Sequence, residues 1–159
     1  MRFQGLKPFV PPKARILILG TFPGACSLRC QQYYADSSNE FWKILCRISK
    51  VDYDSIYSYR KRLALLRSMG IALWDVIKSC ERMGSADSNI IKPKFNDLNL
   101  INGRSISEFS IFFNGRKAET LYVQGGTGLP RGEYLLSSSG ACRRSLADKT
   151  RAWRKILKI

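Results

Sequence analysis

Four short apolar runs along the chain predict the strands of one central sheet. They occupy positions 15–20, 71–76, 109–113 and 133–137, and uninterrupted runs of this length are typical of buried parallel strands. Helical periodicity is clearest in 40–48, and we predict further helices over 54–68, 96–102, 116–124 and 145–157. The alternation of strands and helices predicts an α/β fold in a single domain: a three-layer α/β/α sandwich around a four-stranded, mostly parallel central sheet.

The ends of the predicted strands indicate where a site would lie. In folds of this class, ligands bind outside the carboxyl ends of the parallel strands. Here those ends fall at 20–24, 74–77, 114–115 and 137–142, and three of the four carry polar or glycine-rich residues directly after the apolar run. The polar segment 79–93 is interrupted by Gly84 and Pro93, so we predict a long functional loop there.

The charge of the chain favours a polyanionic partner. Lys and Arg number 27 against 12 Asp and Glu, which gives a net charge of +15. DNA is the partner that we expect, because neutralising its phosphates releases condensed counterions. A solvated cationic surface or a membrane surface would also explain the charge alone. We find no apolar stretch near the roughly 20 residues that span a bilayer and no secretory signal, so we expect a cytoplasmic monomer that does not bind membranes.

The absence of histidine limits the chemistry. It excludes Ser-His-Asp and Cys-His catalysis, and it leaves carboxylates, amides, hydroxyls and thiols as reactive groups. The odd number and scattered spacing of the cysteines argue against a disulfide framework and a zinc site, so we predict reduced thiols, no metal and no cofactor. These cysteines are Cys26, Cys30, Cys46, Cys80 and Cys142.

Several motifs together resemble one family. They are Leu-Gly-Thr-Phe-Pro-Gly at 19–24, Gln-Tyr-Tyr-Ala at 32–35, Asn-Glu-Phe-Trp at 39–42, Ile-Ala-Leu-Trp-Asp-Val at 71–76, Phe-Phe-Asn-Gly-Arg-Lys-Ala at 112–118, and Leu-Leu-Ser-Ser-Ser at 135–139 with Lys149 and Trp153. In this order they resemble the hypoxanthine-DNA glycosylase branch of the uracil-DNA glycosylase superfamily over nearly the whole chain. The resemblance implies a monofunctional glycosylase that hydrolyses the N-glycosidic bond of a flipped, deaminated base, hypoxanthine above all.

Two departures from the pattern of this branch leave other functions open. Residues 36–38 replace a His-Pro-Arg stretch, and residues 139–142 replace Ser-Pro-Ala-Asn. Phe22 precedes Pro23 where the wider superfamily has Asn or Asp, but the hypoxanthine branch lacks that residue as well. The alternatives are excision of uracil or xanthine, a non-catalytic DNA-binding module on this fold and, more remotely, a phosphoester hydrolase that uses 20–24 as a phosphate loop.

The resemblance places the catalytic amide at Asn39. A carboxamide can accept a hydrogen bond from water and donate one to base or sugar, although Asn39 could also be a plain helix cap. Asn114 is expected to bind a base edge, with a turn-forming Asn-Gly pair as the alternative. Phe22 would stack on the extruded base, and small or aromatic neighbours would line its pocket. The remaining residues assigned to this pocket are Gly20, Pro23, Gly24, Tyr33 and Tyr34.

The last predicted loop and two carboxylates complete the expected site. Ser137, Ser138 and Ser139 would hold DNA phosphates, while Arg143 and Arg144 would bind the backbone or fill the gap left by the base. A solvated turn before the last helix is the alternative. Two carboxylates, Asp36 and Asp75, are candidates for activating water, whereas Phe41, Trp42 and Trp74 are predicted to belong to the core.

Overall fold

The fold consists of nine strands and five α-helices within residues 1–126 and 128–159, which a computed structural model describes. The strands are β1 (Arg2–Gln4), β2 (Ile16–Gly20), β3 (Ile71–Asp75), β4 (Ile77–Glu81), β5 (Ile91–Phe95), β6 (Leu100–Ile101), β7 (Arg104–Ser105), β8 (Ser110–Asn114) and β9 (Glu133–Leu135). The helices are α1 (Ala25–Cys30), α2 (Phe41–Ser49), α3 (Tyr59–Met69), α4 (Arg116–Gly125) and α5 (Leu146–Trp153). Short 3-10 helices cover Tyr53–Ile56, Asp87–Asn89, Ile106–Glu108 and Arg154–Lys158.

The central sheet is parallel in all three of its strand pairs. Its order is β3-β2-β8-β9, which confirms the predicted four-stranded sheet. Gly20 pairs with Asp75 on one side of β2, and Leu19 pairs with Phe113 on the other. This register brings the carboxyl ends of β2, β3 and β8 to one level, so the residues that follow them meet at one edge of the sheet.

Alternate residues of the strands build a core on each face of the sheet. Ile16 and Ile18 of β2 pack with α2, α3 and α5, whereas Leu17 and Leu19 pack with α4 and the segments around β4. This division follows from the two-residue repeat of a strand, which points successive side chains to opposite faces. Phe41 and Trp42 are buried in the first core, as predicted, and Trp74 is partly buried against the second.

The prediction of a long functional loop over 79–93 is wrong at both ends of that segment, where strands replace it, and a shorter loop remains at 82–90. β4 pairs antiparallel with β1 on one side and with β5 on the other, so the segment forms a hairpin whose tip runs from Arg82 to Ile90. β5 is almost wholly exposed and contains Pro93, which a strand at the edge of a sheet tolerates. β5 is formed by backbone hydrogen bonds, and such bonds require no apolar pattern in the sequence.

The predicted helix over 96–102 is also wrong. Asn102 and Gly103 adopt positive φ angles of 51° and 81° and form the turn between β6 and β7. An Asn-Gly pair favours this type of hairpin turn over a helix. Two other helices are shorter than predicted. The predicted helix over 54–68 is divided at Ser58, which caps α3, and the predicted helix over 145–157 ends as a 3-10 helix.

None of the described helices has both the length and the apolar character needed to cross a membrane.

Candidate active site

A cavity of about 500 Å³ lies at the carboxyl edge of the parallel sheet. This volume is in the range of small-ligand sites. Its wall comes from 20–24, 33–39, 85–87 and 137–142, together with Asp75 and Asn114. The cavity therefore brings together the residues predicted to catalyse, to bind the base and to hold phosphate: Asn39, Phe22, Asn114, Tyr33, Tyr34, Gly20, Pro23, Gly24, Ser137, Ser138 and Ser139. Arg143 and Arg144 lie outside its wall and are exposed.

The two predicted amides are joined through one buried hydroxyl. Asn114 Nδ2 donates to Ser138 Oγ at 2.8 Å, and Ser138 Oγ donates to Asn39 Oδ1 at 2.8 Å. The Ser138 backbone N–H donates to Asn114 Oδ1, also at 2.8 Å. Ser138 is completely buried, so no water competes for these bonds, and its predicted role in holding a DNA phosphate is wrong because its hydroxyl and N–H are committed to the two amides. We call Asn39, Ser138 and Asn114 the amide relay.

Backbone N–H groups determine the direction of the hydrogen bonds in the amide relay. The N–H of Phe41 donates to Asn39 Oδ1 at 3.0 Å, and that of Ser138 donates to Asn114 Oδ1. Since a backbone N–H can only donate, both amide oxygens are identified, and the hydroxyl between them must donate toward Asn39. Asn39 Oδ1 thus accepts two hydrogen bonds, whereas its Nδ2 has no partner among the described residues.

This arrangement changes the role expected of Asn39. The motif predicts an amide that accepts from water as well as donates, but the oxygen of Asn39 is occupied by Phe41 and Ser138. The Nδ2 group remains, and Asn39 lines the cavity. The geometry leaves Asn39 a hydrogen-bond donor at this site.

A buried lysine connects the two segments that carry the amide relay. Lys149, which is 1% exposed, pairs with Glu40 and donates to Ser139 O at 3.0 Å. The backbone N–H of Glu40 also donates to Ser138 O at 2.8 Å. The start of α2 and the loop after β9 are therefore held together by both main-chain and charged contacts.

The two adjacent tyrosines have different surroundings. Tyr33 is buried, and its hydroxyl donates to Lys7 O at 2.9 Å, so that group is committed to the backbone. Tyr34 stacks on Phe41 with ring centroids 3.9 Å apart. Burial and the Asp75 carboxylate raise the pKa of Tyr34, and the neighbouring Asn114 amide lowers it less, so this phenol stays neutral. Unlike the Tyr33 hydroxyl, that of Tyr34 donates to no backbone carbonyl among the described residues.

The aromatic ring of Phe22 is more buried than its predicted stacking role requires. Phe22 is 6% exposed and belongs to the second core, and the guanidinium of Arg82 lies 5.0 Å from its ring centroid. Arg82 also donates to Pro23 O at 2.6 Å. Arg82 thus fixes the 20–24 loop, and only the part of the Phe22 ring that lines the cavity is available for stacking.

The two candidate carboxylates lie in opposite environments. Asp36 is exposed, and hydrogen bonds from the Ser38 hydroxyl and backbone hold the pKa of Asp36 below its usual value. Asp75 is 5% exposed, and burial, reinforced by Asp87, raises the pKa of its carboxyl to about 7, although Arg82 opposes the rise. Asp36 is therefore ionised near neutral pH, while Asp75 titrates there.

The hairpin tip contributes residues to which the sequence assigned no role in the site. Ser85, Ala86 and Asp87 line the cavity, and Ser85 Oγ accepts from the backbone N–H of Ala25 at the start of α1. Gly84 and the polar composition of 79–93 predicted functional residues there, and Asp87-Ser88 resembles part of the family's central motif block, but neither signal gave these residues a place in the cavity. No pattern in the sequence indicates that Arg82 contacts Phe22 and Pro23.

The fold and cavity define a class of protein. The family model of the uracil DNA glycosylase superfamily matches residues 7–157, and the chain belongs to that superfamily. Two relatives named hypoxanthine DNA glycosylase are similar to it over nearly their full length. The protein from Methanosarcina barkeri is 36% identical and aligns over 99% of each chain, and that from Methanosarcina acetivorans is 34% identical over 98% of each. The chain is also similar to a solution NMR structure from Methanosarcina acetivorans, described as a candidate uracil DNA glycosylase, with a TM-score of 0.75, 32% identity and 99% of both chains covered.

Replacing Lys149 with Met is expected to destabilise the protein by about 3 kcal/mol, because it leaves the Glu40 carboxylate without its partner. Chemical denaturation at neutral pH measures this loss. Lys158→Met is the matched control, since Lys158 is exposed. Equal unfolding free energies for the two variants would contradict the structural role assigned to Lys149.

Proposed function

We propose that this chain is a single-domain, monofunctional DNA glycosylase that hydrolyses the N-glycosidic bond of an extruded, deaminated base, hypoxanthine above all. The observation that carries the proposal is the amide relay, which occupies the oxygen of Asn39 and leaves its Nδ2 as a donor at a cavity of about 500 Å³. The names of the two full-length relatives support hypoxanthine as the base.

The amide relay suits the charge that develops when the bond breaks. As the bond between C1′ of the sugar and the base nitrogen lengthens, positive charge grows on the sugar and negative charge on the leaving base. A preorganised donor stabilises that negative charge without reorganising during the reaction. Asn39 supplies the donor, and Ser138 and Asn114 hold it in place. Imidazole is not required for this chemistry.

Asn39 can be tested without removing its structural bonds. Asn39→Asp keeps an oxygen for the Phe41 N–H and the Ser138 hydroxyl but loses the Nδ2 donor. We expect both Asn39→Asp and Asn39→Ala to lower the single-turnover rate by about 100-fold or more, in line with the loss of one oriented donor. Thermal unfolding should distinguish them, because only Asn39→Ala loses the bonds to the relay. If the Asn39→Asp variant keeps the wild-type rate, the Nδ2 donor is not catalytic and Asn39 acts only as a helix cap.

The attacking water needs an acceptor other than Asn39. We assign that function to Asp36, which lines the cavity at an exposed position and is held ionised by Ser38. The carboxylate orients a water whose oxygen bonds to C1′; the electron pair of the broken bond leaves with the base, and a proton from water neutralises the base. Asp36→Asn should slow excision by about 10²-fold while leaving duplex affinity unchanged. A rate equal to wild type would remove Asp36 from the mechanism.

DNA binding is assigned to the loop after β9 and the arginines that follow it. Ser137 and Ser139 are partly exposed at the cavity, and Arg143 and Arg144 are exposed beyond it. Together with the charge of +15, these groups account for binding to phosphates of duplex or single-stranded DNA. We propose that the protein acts as a cytoplasmic monomer, and a mass measurement in solution tests that state.

The substrate is tested with a panel of duplexes, each carrying one deoxyinosine, deoxyuridine or deoxyxanthosine. We expect alkali-labile abasic sites to form fastest at deoxyinosine, because hypoxanthine is the base named for both relatives. A preference for uracil or xanthine would place the chain with another specificity of the superfamily. Salt-dependent duplex binding with no product at any lesion would instead identify a non-catalytic DNA-binding module.

A further inference from the structure

The depth of each cavity residue indicates which part of a substrate it meets. An extruded base stays attached through its sugar to the DNA outside, so its far edge enters first and its glycosidic bond lies nearest the mouth. Asp36, Ser38 and Gly140 are exposed and form part of the mouth. Asp75, at 5% exposure, belongs to the buried part of the cavity wall. A base that enters through the mouth would therefore bring its far edge toward Asp75.

The carboxyl of Asp75 has room at this position because residue 20 is glycine. A Cβ atom on Gly20 would lie 2.4 Å from Asp75 Oδ1 and 3.3 Å from the hydroxyl of Tyr34. Asp75 Oδ2 is buried and has no hydrogen-bond partner within the part of the chain that the structure describes. A buried polar atom without a partner costs free energy, and a ligand that supplies the missing hydrogen bond removes that cost.

We propose that Asp75 binds the far edge of the extruded base and pairs with the adjacent N–H and C=O groups that deaminated bases carry. This inference rests on the proposed glycosylase function and names the group that recognises the base. In hypoxanthine the edge consists of the N1–H donor and the O6 acceptor. A neutral carboxyl matches it with two hydrogen bonds, since its carbonyl oxygen accepts and its O–H donates.

The surroundings of Asp75 favour this neutral form. Asp87 on the hairpin tip faces it with a like charge, the phenols of Tyr33 and Tyr34 lie near it, and Arg82 is the cation that opposes protonation. Burial dominates and raises the pKa of Asp75 to about 7. A bound base displaces water and favours the neutral form further. An ionised carboxylate could still accept from N1–H, but it would repel O6.

Adenine offers the same two bonds with donor and acceptor exchanged, because a neutral carboxyl can present either oxygen as the donor. Asp75 thus anchors the edge of the base and does not by itself reject a normal adenine. Its contribution should be similar for all bases that carry the N–H and C=O pair.

The experiment compares Asp75→Asn and Asp75→Ala with wild type in single-turnover excision from deoxyinosine duplexes, from about pH 6 to about pH 9. Asn presents the same donor and acceptor as a neutral carboxyl but does not titrate. Wild-type activity should fall as pH rises through about 7, where Asp75 ionises. Asp75→Asn should keep the rate that wild type shows at low pH and lose that decline, whereas Asp75→Ala should be slower by about 100-fold at every pH. Asp97→Asn, at an exposed site outside the cavity, is the matched control and should follow wild type.

Two outcomes would overturn the inference. If Asp75→Asn loses activity as completely as Asp75→Ala, the carboxylate acts as a base and does not pair with the edge. If Asp75→Ala keeps the wild-type rate, Asp75 does not contact the substrate. Thermal unfolding of both variants separates either result from misfolding. If the wild-type protein excises uracil or xanthine but not hypoxanthine, only the proposed substrate is contradicted. The Asp75 variants would then be compared with wild type on the base that is excised.

Discussion

The hydroxyl of Ser138 is the group through which the amides of Asn39 and Asn114 are connected. It accepts from Asn114 at the end of β8 and donates to Asn39 before α2, and it is completely buried. Without it, each amide would retain only the backbone bond that anchors its oxygen. Because those backbone bonds fix which amide atom is oxygen, the hydroxyl has one possible direction. The chemistry available to Asn39 therefore follows from the fold of the loop after β9, far away in the sequence.

The parallel register makes this connection possible. Gly20 and Asp75 are paired neighbours, and Leu19 pairs with Phe113, so the residues after three strands emerge side by side. The Lys149 contacts with Glu40 and Ser139 then hold the helix side of the cavity against the sheet side. Burying the charge of Lys149, which is 1% exposed, costs desolvation, and the ion pair with Glu40 offsets that cost while it holds together the two segments that carry the amide relay.

The strands and the functional edge of the sheet could be predicted because buried parallel strands are continuous apolar runs. β5 could not be predicted, since Lys92, Pro93 and Lys94 are exposed and the strand is defined by its main-chain bonds to β4. Asn39 and Asn114 could be selected by motif and residue type. Their joint partner could not, because the bond between Ser138 and Asn39 spans 99 residues and depends on tertiary packing. The burial of Phe22 beneath Arg82 is likewise a property of the hairpin, which the apolar pattern does not encode.

The two carboxyl groups of the cavity show how a chain without histidine can hold both an ionised and a partly protonated carboxyl near pH 7. They are the same residue type, and only their surroundings differ. Hydrogen bonds from Ser38 lower the pKa of Asp36 at the mouth, while burial raises that of Asp75 in the buried part of the cavity wall. Environments that separate the pKa values of like groups commonly divide their chemical roles. In this cavity the proposed division follows depth: we assign the ionised group to the sugar and water, and the partly protonated group to the far edge of the base.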